Sequence, residues 1–291
     1  VHITDCLVKG SITDNADEDE RAMAGFVFFN NGTYTLTRCL YVGKNNAPND
    51  SYTFGTETGY GATFTDCYYL NTCGKAQGDK ITEAQLRNGY VAYKLLKNGE
   101  VTKKLQGDRT ENVWGQTLGT DLEPLPTTDA TKRVYEVKFV YNGEVKATRY
   151  ANSGQTVALP TAEELLGAGY NPKLTYALNF GDFTANTPVT EDKSVDVTVT
   201  GTFEIASKED WKAFCDLVNS GQTTLNAKLT QDVDLETEIK MLGYSKKYSG
   251  TFDGQNHTLT LNWDAGSTSW RAPFYVVEGA TIKNLRVKGS I

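Results

Sequence analysis

The pentapeptide Val-Lys-Gly-Ser-Ile occurs at both ends of this chain of 291 residues, and no other feature constrains the possible folds as strongly. It occupies residues 8–12 and 287–291, and in both places a polar pair, an apolar residue and one further residue precede it. Because a chance match of five residues in the same context is improbable, we interpret both ends as copies of one structural unit. The sequence therefore predicts a chain that starts and stops inside a repeat array.

The N-terminal quarter carries a second repeat, in which a Thr-x-Cys tripeptide precedes two or three apolar residues. Its cysteines are Cys6, Cys39 and Cys67, which lie 33 and 28 residues apart. A constant strand pattern at an irregular period indicates stacked turns of chain whose strands recur while the connecting loops vary in length. We therefore predict a solenoid of short strands, in which the three thiols stack as an inward ladder of small apolar side chains.

Composition is typical of a secreted, mainly β protein. The chain has 27 glycines and 16 tyrosines but only 2 histidines, and 39% of its residues are hydrophobic, which suffices for a sizeable core. Its net charge of -7 makes nucleic acid an unfavourable partner, and no run of about 20 apolar residues is present to insert into a membrane. Five cysteines are an odd number, which excludes a complete disulfide framework, although a Cys67–Cys73 bridge stays open. We expect an extracellular, cell-surface location.

The middle of the chain predicts short helices followed by an extended segment. Thr82 and Gln85 form a capping-box pattern at the start of a stretch with helical spacing, which Gly89 is expected to divide. Residues 114–131 contain two prolines in a polar context and are predicted to form an extended linker. Trp114, at the start of this segment, is expected to seal the end of the solenoid, where apolar core would otherwise be exposed.

Residues 134–201 alternate with period two, which predicts further strands. Residues 136–141 and 144–150 flank Asn142-Gly143, a dipeptide typical of a hairpin with a type I′ turn. Two further strands are predicted in this region, at residues 155–160 and 194–200, and one helical turn is predicted at residues 162–167. Such alternation indicates a small β-domain with one face buried.

Several segments resemble one family of bacterial surface proteins. The family comprises right-handed β-helix proteins, which are large adhesin-like proteins of gut bacteria and include those with GLUG-type repeats. The segments that resemble its opening turns are residues 248–261, 272–275 and 279–285. Residues 203–221 resemble the helix that caps the first turn, and residues 229–235 resemble the strand after it. Residues 24–27 and 39–43 resemble later turns. In this chain the later turns therefore come first, and the cap and opening turns come last.

A second resemblance concerns the β-rich middle. Gly169-Tyr170 and residues 182–192 resemble the Listeria–Bacteroides repeat, a small β-grasp module of surface proteins, and an Ig-like sandwich is the alternative. Together the resemblances imply a mainly β fold, a right-handed parallel β-helix split between the two chain ends with an inserted β-grasp or Ig-like domain and a few short helices. The resemblances imply later β-helix turns at residues 1–78 and short helices with an extended linker at residues 79–132. They imply the inserted domain at residues 133–201 and a helical cap with opening turns at residues 202–291.

The sequence predicts no catalytic or cofactor site. His257 belongs to no Ser-His-Asp pattern, and the cysteines have no zinc-finger spacing. Five acidic residues crowd residues 14–20 without the spacing of an EF-hand, so we interpret them as a solvated turn. In the alternative interpretation, a calcium ion would be held by Asp14, Asp17, Glu18 and Asp19. Aromatic residues that either pack neighbouring turns or stack on sugar rings are Tyr52, Tyr60, Tyr68, Tyr69, Trp263, Trp270 and Tyr275.

These observations predict a non-enzymatic, structural or adhesive module of a bacterial surface protein. The terminal turns of a solenoid expose unpaired backbone groups, which a further turn satisfies. We expect head-to-tail pairing with another copy, or with neighbouring repeats, to give a filament or stalk, while closure within one chain stays an alternative. The predicted assembly edges comprise Val8, Gly10, Ile12, Ile282, Leu285, Val287 and Ile291. The other function left open is a carbohydrate-active or glycan-binding β-helix protein, with host or dietary glycans or host surface proteins as partners.

Overall fold

The structure is a computed structural model, and it describes residues 1–12, 24–27, 32–44, 51–56, 61–106, 114–264, 266 and 270–291. The chain is mainly β, with 37% strand and 15% helix, which confirms the coarse prediction from the sequence. Its contacts divide it into two units, residues 1–160 with 182–196 and residues 161–181 with 197–291. The division into four segments expected from the resemblances stays a prediction.

In the first unit, the N-terminal repeats form two parallel sheets. The first sheet contains, in spatial order, β1 (His2–Thr4), β3 (Tyr34–Thr37) and β5 (Ala62–Thr65). The second sheet contains β2 (Leu7–Val8), β4 (Leu40–Tyr41), β6 (Tyr68–Tyr69) and β7 (Asp79–Lys80). Isolated parallel bridges form a third column, in which Ala24, Tyr52 and Lys75 are neighbours. Each repeat thus contributes to three columns of parallel pairs.

The register places the three Thr-x-Cys repeats directly beside one another. Thr4 pairs with Thr37, which pairs with Thr65, and Leu7 pairs with Leu40 in the second sheet. The threonines end one strand and the apolar residues begin the next, so the cysteines occupy the turn between the two sheets. The alignment of strands that the spacing predicted is therefore confirmed.

Two helices cover one side of these sheets. α1 (Glu83–Arg87) begins at the predicted capping box of Thr82 and Gln85, and α2 (Tyr90–Gln106) follows it directly. Gly89 lies between them with φ 95°, and a Cβ there would lie 2.9 Å from the Cβ of Tyr150, so the residue that divides the helices has to be glycine. The apolar helix residues share a core with the second sheet, and this core contains Leu40, Tyr68, Ile81, Leu86, Val91, Leu95, Leu96 and Trp114.

The rest of the first unit contains the predicted hairpin. β8 (Trp114–Gly115) pairs with β9 (Leu125–Pro126), and β10 (Val134–Tyr141) pairs with both β11 (Glu144–Asn152) and β13 (Lys193–Asp196). Asn142 and Gly143 have φ values of 52° and 80°, so both central residues of the hairpin turn have the positive φ that a type I′ turn requires. The strand predicted at 155–160 is reduced to one bridge, between Gln155 and Val189. A short 3₁₀ helix, Ala130–Lys132, precedes β10.

The second unit repeats the parallel arrangement of the first. A five-stranded sheet contains β12 (Leu174–Asn179), β14 (Thr198–Ile205), β15 (Asn226–Leu229), β17 (Thr251–Asp253) and β19 (Thr281–Lys283), in that order. Only the β12–β14 pair is antiparallel. A parallel three-stranded sheet contains β16 (Val233–Asp234), β18 (Thr258–Asn262) and β20 (Arg286–Ser290). Parallel bridges again form a third column, Leu242 with Phe274 and Tyr248 with Val277.

Helices complete the second unit. α3 (Ala162–Leu166) is the single helical turn predicted from the sequence, and a 3₁₀ helix, Gly167–Gly169, follows it. α4 (Lys208–Asn219) begins at Ser207, whose side chain accepts a hydrogen bond from Asp210 N. Its buried apolar residues recur at helical spacing in one core with Phe203 and Phe252, and they are Trp211, Phe214, Cys215 and Val218. A helix is therefore present where the sequence predicts one, and it shares a core with β14 and β17.

Candidate assembly edges

The candidate site consists of two strand edges, one in each unit. β1 and β2 are the first strands of the two parallel sheets in the first unit, whereas β19 and β20 are the last strands of the two parallel sheets in the second. Among the described residues, each of these four strands pairs with a strand on one side only. The outer backbone N–H and C=O groups of β2, β19 and β20 are therefore open to pairing with a further strand.

The two edges share the same local backbone. In each, a two-residue connection joins the two strands, and its first residue is left-handed, Asp5 with φ 55° and Asn284 with φ 51°. Arg38 and Asp66 have the same conformation at the equivalent positions of the later repeats in the first unit, with φ 53° and 52°. Asp and Asn tolerate this conformation better than most residues. The sequence repeat at the two chain ends therefore corresponds to one repeated strand–turn–strand geometry.

A close backbone contact also distinguishes the interior repeats from the N-terminal edge. Gly43 lies against the carbonyl oxygen of Gly10 in the preceding repeat, and Gly289 lies against that of Leu261. A Cβ at either glycine would approach the oxygen well inside 3.0 Å. Gly289 alone of these glycines has a positive φ, 116°. Gly10 occupies the equivalent position of the first repeat, and a Cβ there would meet no described atom within 4 Å. The space beside Gly10 is thus the space that a preceding strand fills elsewhere.

The predicted edge residues are less buried than their partners inside the sheets. Val287 is 50% exposed, whereas Leu259, which pairs with it, is 0% exposed, and Ile282 is 39% exposed beside the fully buried Phe252. Ile291 is 54% exposed. The remaining predicted edge residues are half-buried or, for glycine, exposed, and they are Val8, Gly10, Ile12 and Leu285. A further repeat at either edge would bury apolar surface.

The C-terminal edge is basic. The C-terminal edge has three basic residues and no acidic one, Lys283, Arg286 and Lys288, and all three are exposed. The first 20 residues contain six acidic residues and one basic residue, Lys9, which pairs with Glu123. Most of these acids, including the calcium candidates Asp14, Asp17, Glu18 and Asp19, lie outside the described residues.

A buried ion pair fixes the first repeat to the second. The guanidinium of Arg38 donates from Nε to Asp5 Oδ1 at 2.8 Å and from Nη2 to Asp5 Oδ2 at 2.9 Å, and Arg38 is only 1% exposed. The indole of Trp114 donates to Asp5 Oδ1 at 3.0 Å. This network is not among the predictions made from the sequence. A signal for it is nevertheless present in the sequence, because the middle residues of the three Thr-x-Cys repeats alternate in charge. Trp114 packs at the side of the repeats and ties the predicted linker to them.

The three repeat cysteines lie in one core, as the sequence predicts. Cys39 and Cys67 are buried and Cys6 is half-buried, and all five cysteines of the chain are free, so the alternative Cys67–Cys73 bridge is not formed. Cys67 Sγ donates to the carbonyl oxygen of Leu36 at 3.5 Å. The hydrogen bond with Cys67, together with burial, raises the pKa of Cys39, and burial raises the pKa of Cys6. Cys6 and Cys39 are therefore neutral packing groups.

The other candidate residues are dispersed. Tyr68, Tyr69 and Trp263 are buried, Tyr52 and Tyr275 are half-buried, Trp270 is exposed, and Tyr60 lies outside the described residues. His257 Nδ1 lies 3.4 Å from Asp232 Oδ1 at the surface. In the described part of the chain, no group of three or more His, Cys, Asp or Glu side chains is arranged to hold a metal ion. None of the described helices is both long and apolar enough to cross a membrane.

Comparisons with known proteins add no identification. No protein-family model, no curated protein and no solved structure matches this chain. The two family resemblances based on the sequence therefore stay predictions, and the functional argument depends on the geometry of the edges.

Proposed function

We propose that this chain is a non-enzymatic, extracellular structural or adhesive module of a bacterial surface protein. In this proposal the stacked repeats of both units are stretches of right-handed parallel β-helix. The C-terminal edge of one copy, or of a neighbouring repeat, stacks on the N-terminal edge of the next. Repetition of this heterologous contact gives a filament or a stalk.

The observation that carries the proposal is the open position beside Gly10. At Gly43 and Gly289 the backbone of a preceding repeat explains why the residue is glycine, and at Gly10 the same residue occurs without such a neighbour among the described residues. If the C-terminal repeat of a preceding copy occupies this space, the carbonyl oxygen of Gly289 approaches Gly10 as that of Gly10 approaches Gly43. The incoming strand carries the same five residues as residues 8–12, with Gly289 in a positive φ of 116° that Gly10 does not have.

The hydrogen bonds of the proposed contact follow from the first two repeats. There, Leu40 N donates to Cys6 O at 2.8 Å and Val42 N donates to Val8 O at 2.9 Å. Translated by one repeat, Leu7 N and Lys9 N donate to the carbonyl oxygens of Leu285 and Val287 in the preceding copy. Each such bond contributes about 0.5–1.5 kcal/mol net, and burial of the apolar edge side chains adds to this.

Sedimentation velocity over a range of concentrations, with electron microscopy of the same samples, tests the proposal. We expect oligomers that lengthen with concentration, and Val287→Asp should suppress them because it would place a carboxylate in the stacked core. Val145→Asp is the matched control, since Val145 is 52% exposed on a strand distant in sequence from both edges. A chain that stays monomeric at high concentration, or equal effects of the two substitutions, would contradict the proposal.

A further inference from the structure

A surface cleft in the second unit has the size of a small-molecule site. It lies beside the C-terminal half of α4 and has a volume of about 330 Å³, within the range of about 300–1,000 Å³ that ligand pockets occupy. The polar residues that line it are Asp216, Asn219, Lys240, Tyr244, Ser245 and Arg271. They come from four separate parts of the sequence, and none belongs to the strand edges.

Within the described lining of the cleft, one positive charge has no acidic partner. Asp216 and Lys240 form an ion pair with each other, so their charges cancel. Arg271 is the remaining charged residue of the lining, and its Nε is shielded from solvent without a hydrogen-bond partner among the described residues. Because Arg271 lines the cleft, a ligand carboxylate that enters the cleft would meet the opposite charge.

The other polar groups are held in place before any ligand binds. Asn219 Nδ2 donates to Met241 O at 3.2 Å, and Ser245 N donates to Asn219 Oδ1 at 3.1 Å. This leaves the amide one further N–H and one further lone pair for a hydroxyl. Asp216 uses Oδ1 for its lysine, and its carboxylate retains capacity to accept from a second hydroxyl.

An aromatic face completes the lining. Tyr244 is 60% exposed, an unusual position for a large ring, and it packs against Tyr275 with ring centroids 5.2 Å apart and planes tilted by 50°. The contact restricts the ring of Tyr244 while leaving much of its surface open. An exposed, oriented aromatic ring offers an apolar surface to the C–H groups of a ligand ring.

We propose that this cleft binds a carboxylated pyranose, such as a uronic acid or sialic acid residue of a glycan. Its carboxylate pairs with Arg271, its ring lies against Tyr244, and its hydroxyls bond to Asn219 and Asp216. The proposal goes beyond the structural role, because stacking of copies requires only the strand edges. It assigns the adhesive activity to the flank of the second unit.

Titration of the full chain with four probes tests this site. The probes are trigalacturonate, N-acetylneuraminate, galactose and acetate, with binding followed by calorimetry. We expect at least one acidic sugar to bind with an affinity at least about tenfold above those of galactose and acetate. The acidic sugar that binds identifies the source, a plant-type uronate or an animal-type sialate.

Variants locate the binding in the cleft. Arg271→Gln and Tyr244→Ala should each lower the affinity for the acidic sugar by at least about tenfold, since each removes a principal contact. Lys247→Gln is the matched control, because Lys247 is an exposed cation of the same unit that pairs with Glu278 outside the cleft lining. Thermal unfolding of each variant confirms that the unit is folded.

Three outcomes would overturn the proposal. Equal affinity for galactose and the acidic sugars would exclude recognition of the carboxylate, and equal affinity for acetate would reduce the site to a general anion site. Absence of binding by all probes at about 10 mM would show that the cleft is no sugar site at a useful affinity. Sedimentation of Arg271→Gln should show the same association as the original chain, because the strand edges of that variant are unchanged. A loss of sugar binding can therefore be distinguished from a loss of assembly.

Discussion

Gly10→Val tests whether the open position beside β2 receives a preceding strand. In the isolated chain the substitution should be tolerated, since a Cβ at Gly10 meets no described atom within 4 Å and the residue does not have a positive φ. In a stacked pair, by contrast, the carbonyl oxygen of Gly289 from the preceding copy would occupy the place of the new side chain. The substitution therefore separates assembly from folding.

The expected magnitude follows from the equivalent interior glycine. A Cβ at Gly43 would approach the oxygen of Gly10 well inside 3.0 Å, so the two strands would have to move apart. Overpacking of this kind costs about 1–3 kcal/mol, and each backbone hydrogen bond that is lost costs about 1 kcal/mol more. A total of about 2–3 kcal/mol weakens association by about 30- to 150-fold. The free energy of unfolding of the monomer should change by less than about 0.5 kcal/mol, as for other open surface positions.

The assay compares Gly10→Val with Gly169→Val by sedimentation velocity and by denaturant unfolding. Gly169 is the matched control, because a Cβ there also meets no described atom within 4 Å and its φ is not positive. We expect only Gly10→Val to shift the association curve to higher concentration. If Gly10→Val assembles as readily as the unchanged chain, no preceding strand lies beside this glycine and the stacking argument is refuted.

Further predictions concern stability and thiol reactivity. Arg38→Met should destabilise the first unit by about 3–5 kcal/mol in thermal unfolding because it leaves the buried Asp5 carboxylate without its counter-charge. The double variant with Asp5→Asn should recover part of this loss, since the neutral amide tolerates the left-handed conformation and can still accept from Trp114. A hydrogen bond from Lys132 lowers the pKa of Asp121 in the folded protein below its usual 3.8. The stabilisation that Asp121 contributes is therefore present above pH 3.8 and is lost as the pH falls through the lowered pKa. Asp121→Asn should accordingly flatten the acid limb of a plot of stability against pH. Cys6 should react with a thiol reagent before the buried cysteines do, and assembly should protect it, which stopped-flow labelling at low and high protein concentration measures.

Local signals predicted the parts of the fold that depend on neighbouring residues. The capping box at Thr82 and the Asn142-Gly143 turn are encoded within a few residues, and both are present. The Thr-x-Cys repeats predicted the strand register, because equivalent residues of stacked repeats must align. The strand expected at 155–160 is absent beyond Gln155, since alternation alone does not provide a neighbouring strand with which to pair.

Long-range contacts determine what the sequence left undetected. Trp114 and Gln116 lie in a segment expected to be a linker, yet both are buried, and Trp114 bonds to Asp5 across 109 positions of sequence. Gln116 Nε2 donates to Leu86 O at 3.0 Å. The cleft residues Asp216 and Arg271 are likewise far apart in sequence and belong to no motif, so only the fold brings them together.

In the proposed assembly the strands β19 and β20 pair with the next copy, whereas the lining of the cleft beside α4 contains no residue of either strand. A single small cleft supports only modest affinity for one sugar residue. A filament would display the cleft once per copy, and simultaneous engagement of several glycan ends would raise the apparent affinity by about 10²–10⁴ without any new contact. The gain in apparent affinity on a glycan-coated surface should therefore disappear in Gly10→Val while the affinity for a free monosaccharide stays unchanged.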